Sequence, residues 1–79
     1  MGKLQQLIED GILVKDYDDE DSVTYAAENA HIKYNGETVL NIILCENGVV
    51  WVMTQQGREH VGEFEFSIND DIDLEVFTK

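Results

Sequence analysis

Two Asn-Gly pairs, Asn35-Gly36 and Asn47-Gly48, each sit between runs rich in β-branched and other apolar residues. No other feature constrains the fold as tightly. The tightest hairpin turn needs positive φ at both central residues, which Asn and Gly tolerate best, so the pairs read as two hairpins in series. Ile32-Lys33-Tyr34 and Glu37-Thr38-Val39 flank the first turn; Val39 to Cys45 and Val49 to Thr54 flank the second. Gln56-Gly57-Arg58 is a turn candidate leading into a strand from His60 to Ile68, and Asn69-Asp70-Asp71 leads into a last strand from Ile72 to Thr78. The chain contains no proline, so no strand is demoted and no edge protected by that residue. The expectation is an antiparallel meander.

Ahead of the strands, Leu4, Leu7 and Ile8 fall at helical spacing within Lys3 to Asp10, and Gly11 stands where a left-handed C-terminal cap belongs. Glu9 and Asp10 oppose the dipole in the last turn, so this helix must be held by docking its apolar stripe on a core. Ile12 to Val14 is an apolar run fit to start a strand. Asp16 to Asp21 is a charge block and reads as an exposed loop. Ser22 to Ala30 stays open: Ser22 suits a helix cap before Ala26-Ala27-Glu28, whereas Val23-Thr24-Tyr25 favours a strand. Length supports one domain over 1–79. The expected class is α+β, a twisted antiparallel sheet of four to five strands with one short N-terminal helix.

With two-residue turns, Ile32, Val39, Ile43, Cys45, Val50 and Val52 share one face of the sheet, and Leu40, Ile42, Leu44, Trp51 and Met53 share the other. Both faces are apolar, unlike a sheet with one wet side. The helix covers one face, and the other requires either Ser22 to Ala30 or a second copy, so a homodimer is expected. A hairpin at Asn69-Asp70-Asp71 sets Glu65 opposite Glu75, Ser67 opposite Asp73 and Glu63 opposite Phe77. Facing like charges destabilise a strand pair, so their retention points either to a useful negative field or to a guard against edge-to-edge aggregation. The parity of the turn near Gln56 leaves Trp51 either in the core under Phe64 or beside Glu63.

Seventeen Asp and Glu stand against five Lys and Arg, a formal net charge of −12. That excess costs stability through self-repulsion and disfavours binding to nucleic acid or an anionic membrane; a basic partner fits it. Cys45 is the sole cysteine, which leaves no internal disulfide and makes the cytoplasm the expected location. No targeting segment is expected from the N-terminal residues. His31, His60 and Cys45 match no zinc spacing. Asp16, Asp18 and Glu20 alternate like calcium ligands, but Asp21 and Ala27 occupy the positions that need Gly and Glu. No metal, cofactor or catalytic activity is expected.

Carboxylates on alternate strand positions make a dense negative strip, comparable to the phosphates that DNA-binding proteins meet with Lys and Arg. The candidate partner-binding residues are Glu63, Glu65, Asp73 and Glu75 on the sheet, Asp70 and Asp71 at the hairpin tip, and Asp16, Asp18, Asp19, Glu20 and Asp21 as a flexible arm. In size, charge and plan the chain resembles the small acidic DNA-mimic inhibitors encoded by bacteriophages, such as uracil-DNA glycosylase inhibitor, inhibitors of histone-like HU proteins, and some anti-CRISPR and anti-restriction proteins. That resemblance implies a phage origin, a homodimer, and a basic nucleic-acid-binding host target such as an HU protein. Two alternatives stand beside it: an anti-CRISPR or other phage protein that binds sterically, and an assembly module that works through its two-sided apolar sheet.

Overall fold

The computed structural model describes residues 3–28 and 30–78. Met1 and Gly2, the first residues of the stretch read for targeting signals, lie outside the described residues, as do Asn29 and Lys79. Helix α1 spans Lys3–Glu9 and ends as its glycine predicts. Gly11 takes φ 77°, its N–H bonds the Ile8 carbonyl at 3.2 Å, and the Ile12 N–H reaches back to the Leu7 carbonyl at 3.0 Å. This pair of bonds satisfies the last helical carbonyls. Leu4 and Leu7 are buried and Ile8 packs beside them, so burial holds a helix too short to persist alone.

Seven antiparallel strands follow: β1 (Leu13–Asp18), β2 (Ser22–Ala27), β3 (Ala30–Tyr34), β4 (Glu37–Cys45), β5 (Val49–Gln55), β6 (Val61–Ser67) and β7 (Leu74–Thr78). The count exceeds the expected four to five because the N-terminal third also forms a hairpin, β1 with β2. Asp16 and Asp18 therefore belong to a strand, and only Asp19, Glu20 and Asp21 form the loop. Asp16 lies where the register shifts between Lys15 and Tyr17, a bulge that accommodates the extra charged residue at an edge. Val23, Thr24 and Tyr25 settle β2 as a strand by pairing with Leu44, Ile43 and Ile42.

Strand β4 organises the sheet. One edge pairs with β5; the other is shared end to end by β2 along Ile42–Cys45 and by β3 at Glu37 and Thr38. The register of β4 on β5 shifts between Val39 and Asn41, where β3 gives way to β2, and a bulge there lets the strand bend. The bend folds β3 and β7 over β5 and β6: the Tyr34 ring meets those of Phe64 and Phe66 edge-on, with centroids 5.0 and 5.5 Å apart. Ile32, Ile42, Val50, Val52 and Leu74 fill the space between, and α1 contributes Leu4 and Leu7.

The Asn35-Gly36 turn is as expected, with φ 53° and 81° and Tyr34 opposite Glu37. The second turn is longer. Leu44 lies opposite Val50, so Glu46, Asn47 and Gly48 form the loop, closed by a 3.0 Å bond from the Gly48 N–H to the Cys45 carbonyl. The added residue reverses the expected faces of β4, because side chains alternate with a period of two. Ile42 and Leu44 point inward with Val50 and Val52, while Ile43 and Cys45 point outward with Trp51 and Met53. The bulge restores Val39 to the inside, opposite Thr54.

The expected β6–β7 hairpin does not form. Strand β7 pairs with β3, placing Glu75 opposite Lys33 and Phe77 opposite His31. Following the antiparallel pairings from β6 through β5, β4 and β3 to β7 makes β6 and β7 run in the same sense, which no tight hairpin permits. The connection instead crosses back over the core, half-burying Ile68 and burying Ile72. Glu65 and Glu75 are thus separated, Glu65 opposite Trp51 and Glu75 opposite Lys33, and no repulsion between them is retained.

Candidate partner-binding surface

Since Val50, Val52 and Thr54 are fully buried, their neighbours Trp51 and Met53 point away from the core. The register carries this outward row across the sheet: Tyr17 faces Thr24, Thr24 faces Ile43, Ile43 faces Trp51, and Trp51 faces Glu65. A second row runs from Asn41 through Met53 to Glu63. Of the two placements open for Trp51, the structure adopts the one beside the carboxylates. The five-residue loop Gln56–His60, closed by the Gln56 N–H on the His60 carbonyl at 2.9 Å, sets that parity.

Trp51, Met53 and Ile43 are half-buried, and Tyr17 is 61% exposed. Neither the helix nor the N-terminal strands cover this face: Ser22 to Ala30, one of the two covers expected, supplies β2 to the same sheet instead. A partly wet apolar stripe thus ends on two glutamates. Phe64 and Phe66 point inward against Tyr34, which fixes Glu63 and Glu65 outward on β6.

Strand parity also gathers the acidic turns. Strands β1, β4 and β6 end, and β2 and β5 begin, at one end of the sheet. Asp18, Asp19, Glu20 and Asp21 line a shallow concavity with Glu46, whose N–H bonds the Asp21 carbonyl at 2.8 Å. Asp70 and Glu65 line the next one, across Asn47 and Val49. Asp70 is fixed there because its Oδ2 accepts the Ser67 N–H at 2.8 Å and its own N–H bonds the Ser67 carbonyl at 2.9 Å. Asp71 is exposed in the same connection. The rim therefore continues from the β1–β2 turn to Glu65.

Three sequence-predicted residues fall outside both this rim and the adjoining face of β6 that carries Glu63. Asp73 lies just before β7 and Glu75 within it, on the far side of the core, where Lys33 faces Glu75 and the Lys33 Nζ sits 5.9 Å from the Phe77 ring centroid. Asp16 sits in the β1 bulge. Glu46 was missed; its signal is that it opens a turn which antiparallel order must bring beside Asp21. Among the described residues one ion pair forms, Lys15 Nζ to Asp18 Oδ2 at 3.3 Å, and it is exposed. Among the described residues, most of the rim's charge thus has no counter-ion.

Among the described residues, no three His, Cys, Asp or Glu side chains converge to hold a metal ion, and no helix is long and apolar enough to cross a membrane. No family model, curated protein or solved structure matches the chain.

Proposed function

We propose that this chain is a non-enzymatic inhibitor that binds a basic, nucleic-acid-binding host protein and occludes its nucleic-acid surface, in the manner of a DNA mimic. The observation that carries the reading is the register placing Trp51 opposite Glu65 and Met53 opposite Glu63 on one outward face. An Arg guanidinium recognises both parts of such a site, the carboxylate through charge-assisted hydrogen bonds and the indole through its π face. The rim of Asp18–Asp21, Glu46 and Asp70 extends the same field and speeds encounter with a positive surface. On this reading the protein works in the cytoplasm of an infected bacterium, and a histone-like HU protein is a suitable class of target.

The test is binding to purified basic nucleic-acid-binding proteins, HU included, with duplex DNA as competitor. Wild-type chain should bind one of them, be displaced by DNA and by salt, and lose binding when Glu63→Lys and Glu65→Lys are combined. A complex that coexists with bound DNA and survives the double reversal overturns mimicry. One observation favours a second reading: the stripe of Ile43, Trp51 and Met53 is apolar, half-buried and covered by no described helix or second sheet layer, as an assembly module or homodimer interface would be. Sedimentation separates the two, because self-association through that stripe would survive high salt and fail in Trp51→Ala.

A further inference from the structure

Among the described residues, no strand pairs with the second edge of β6. In an antiparallel pair, residues alternately direct both main-chain groups toward the partner strand and away from it. The Ile68 N–H bonds the Gly48 carbonyl at 2.8 Å, so Gly62, Phe64 and Phe66 face β5 in the ladder. Val61, Glu63, Glu65 and Ser67 direct their N–H and C=O groups outward. Asp70 satisfies both groups of Ser67. At Val61, Glu63 and Glu65 no other described residue does so. The side chains of these same residues lie on the outward face, next to Trp51 and Met53.

From this geometry we infer that the β6 edge receives an extended segment of the basic partner by strand addition, with Arg or Lys at every second position. This rests on the proposed reading and specifies how the partner is held. Residues across from Glu63 and Glu65 would exchange main-chain bonds with them and carry their side chains on the same face, within about 5.5 Å at Cβ. Alternate residues would turn toward Phe64 and Phe66 and should be apolar. A second copy is the wrong occupant, because pairing two β6 edges brings Glu63 and Glu65 of both chains together. The edge of β1 differs, since its bulge and the Lys15–Asp18 pair blunt it.

The probe is a capped heptapeptide alternating Arg and Val, compared with an isomer that segregates the two residues and with two N-methylated forms. Methylation of the Arg amides blocks the N–H groups that face β6, whereas methylation of the Val amides blocks those that face away. Fluorescence anisotropy with the full chain should show the alternating peptide at least tenfold tighter than the segregated isomer. Arg methylation should remove that advantage and Val methylation should keep it. Amide hydrogen exchange should slow at Val61, Glu63 and Glu65 while Gly62 and Phe64 stay as they were. Glu63→Pro should weaken binding several-fold beyond Glu63→Gln, which removes the same charge but keeps the donor. Equal binding of all four peptides without edge protection overturns strand addition and leaves the acidic-face reading standing. Failure of every peptide, together with partner binding that ignores the double charge reversal, overturns both.

Discussion

Gly62→Ala tests how closely the acidic strand is seated. Gly62 pairs with Thr54, and a Cβ built on it would lie 2.6 Å from Thr54 Oγ1, 2.5 Å from Gln56 Nε2 and 2.7 Å from Gln56 Cδ. Gln56 can swing into solvent, giving up one exposed 3.1 Å bond to Glu37 Oε1. Thr54 has no such freedom: it is fully buried, and its hydroxyl donates to the same Glu37 oxygen at 3.1 Å. Overpacking of this kind costs roughly 1–3 kcal/mol, while the stiffer unfolded chain returns about 0.4–1 kcal/mol. The net loss is about 1–2 kcal/mol, or a fall in Tm of roughly 5–15 °C for a domain this size. Thermal and urea unfolding measure it, and repeating Gly62→Ala in a Thr54→Ala background should recover part of the loss. A Gly62→Ala protein as stable as wild type would refute the close approach of β6 to Thr54.

Three further outcomes follow from the same structure. Raising salt from about 0.01 M to 1 M shortens the Debye length from about 30 Å to 3 Å, so it should raise the Tm of this −12 chain while weakening its binding to a basic partner; calorimetry and anisotropy over one salt series check both signs. Ile42→Ala, in the core, should cost about 2–5 kcal/mol of stability, whereas Trp51→Ala, on the half-exposed face, should cost less stability but lower partner affinity by roughly 30-fold, the loss typical of an aromatic hot spot. Asn41 Oδ1 is buried beside Met53 with no hydrogen-bond partner among the described residues, so Asn41→Val should be neutral or stabilise by about 1 kcal/mol, and a clear loss of urea resistance would show that its amide matters to the bulge.

What the sequence revealed was set by local chemistry. The Gly11 cap and the Asn35-Gly36 turn were legible because each depends on a few adjacent residues with positive φ. Asn47-Gly48 was legible as a turn but not in length. Glu46 joins the loop, and one residue is enough to exchange Ile42 with Ile43 between core and surface. Strand β2 was open to two readings because its partner, β4, lies about twenty residues away in sequence. The β6–β7 hairpin failed for a related reason: neighbouring strands usually pair, but here a non-local pairing relieves a conflict by setting Lys33 where Glu65 would have faced Glu75. The exposed acidic residues were legible as a set; their division between two sides of the core was not.

That division decides which carboxylates can act together. On β7, Glu75 faces Lys33, and Asp73 lies apart from the other turns, so that side offers a mixed field. On β6, Glu63 and Glu65 face Met53 and Trp51, with no basic residue in the row. The acidic turns extend the β6 field at one end of the sheet, and the opposite loop carries Arg58 and His60 alongside Glu59. Charge needed only for solubility is best dispersed, since clustering adds repulsion without adding hydration. Charge gathered along one rim, ending at a half-buried tryptophan and a strand edge that no described strand pairs, is the arrangement that would orient a basic segment before contact and then offer its backbone and side chains something to hold. On the proposed reading, the field would set how a basic partner arrives, and the geometry of β6 would set which partner stays.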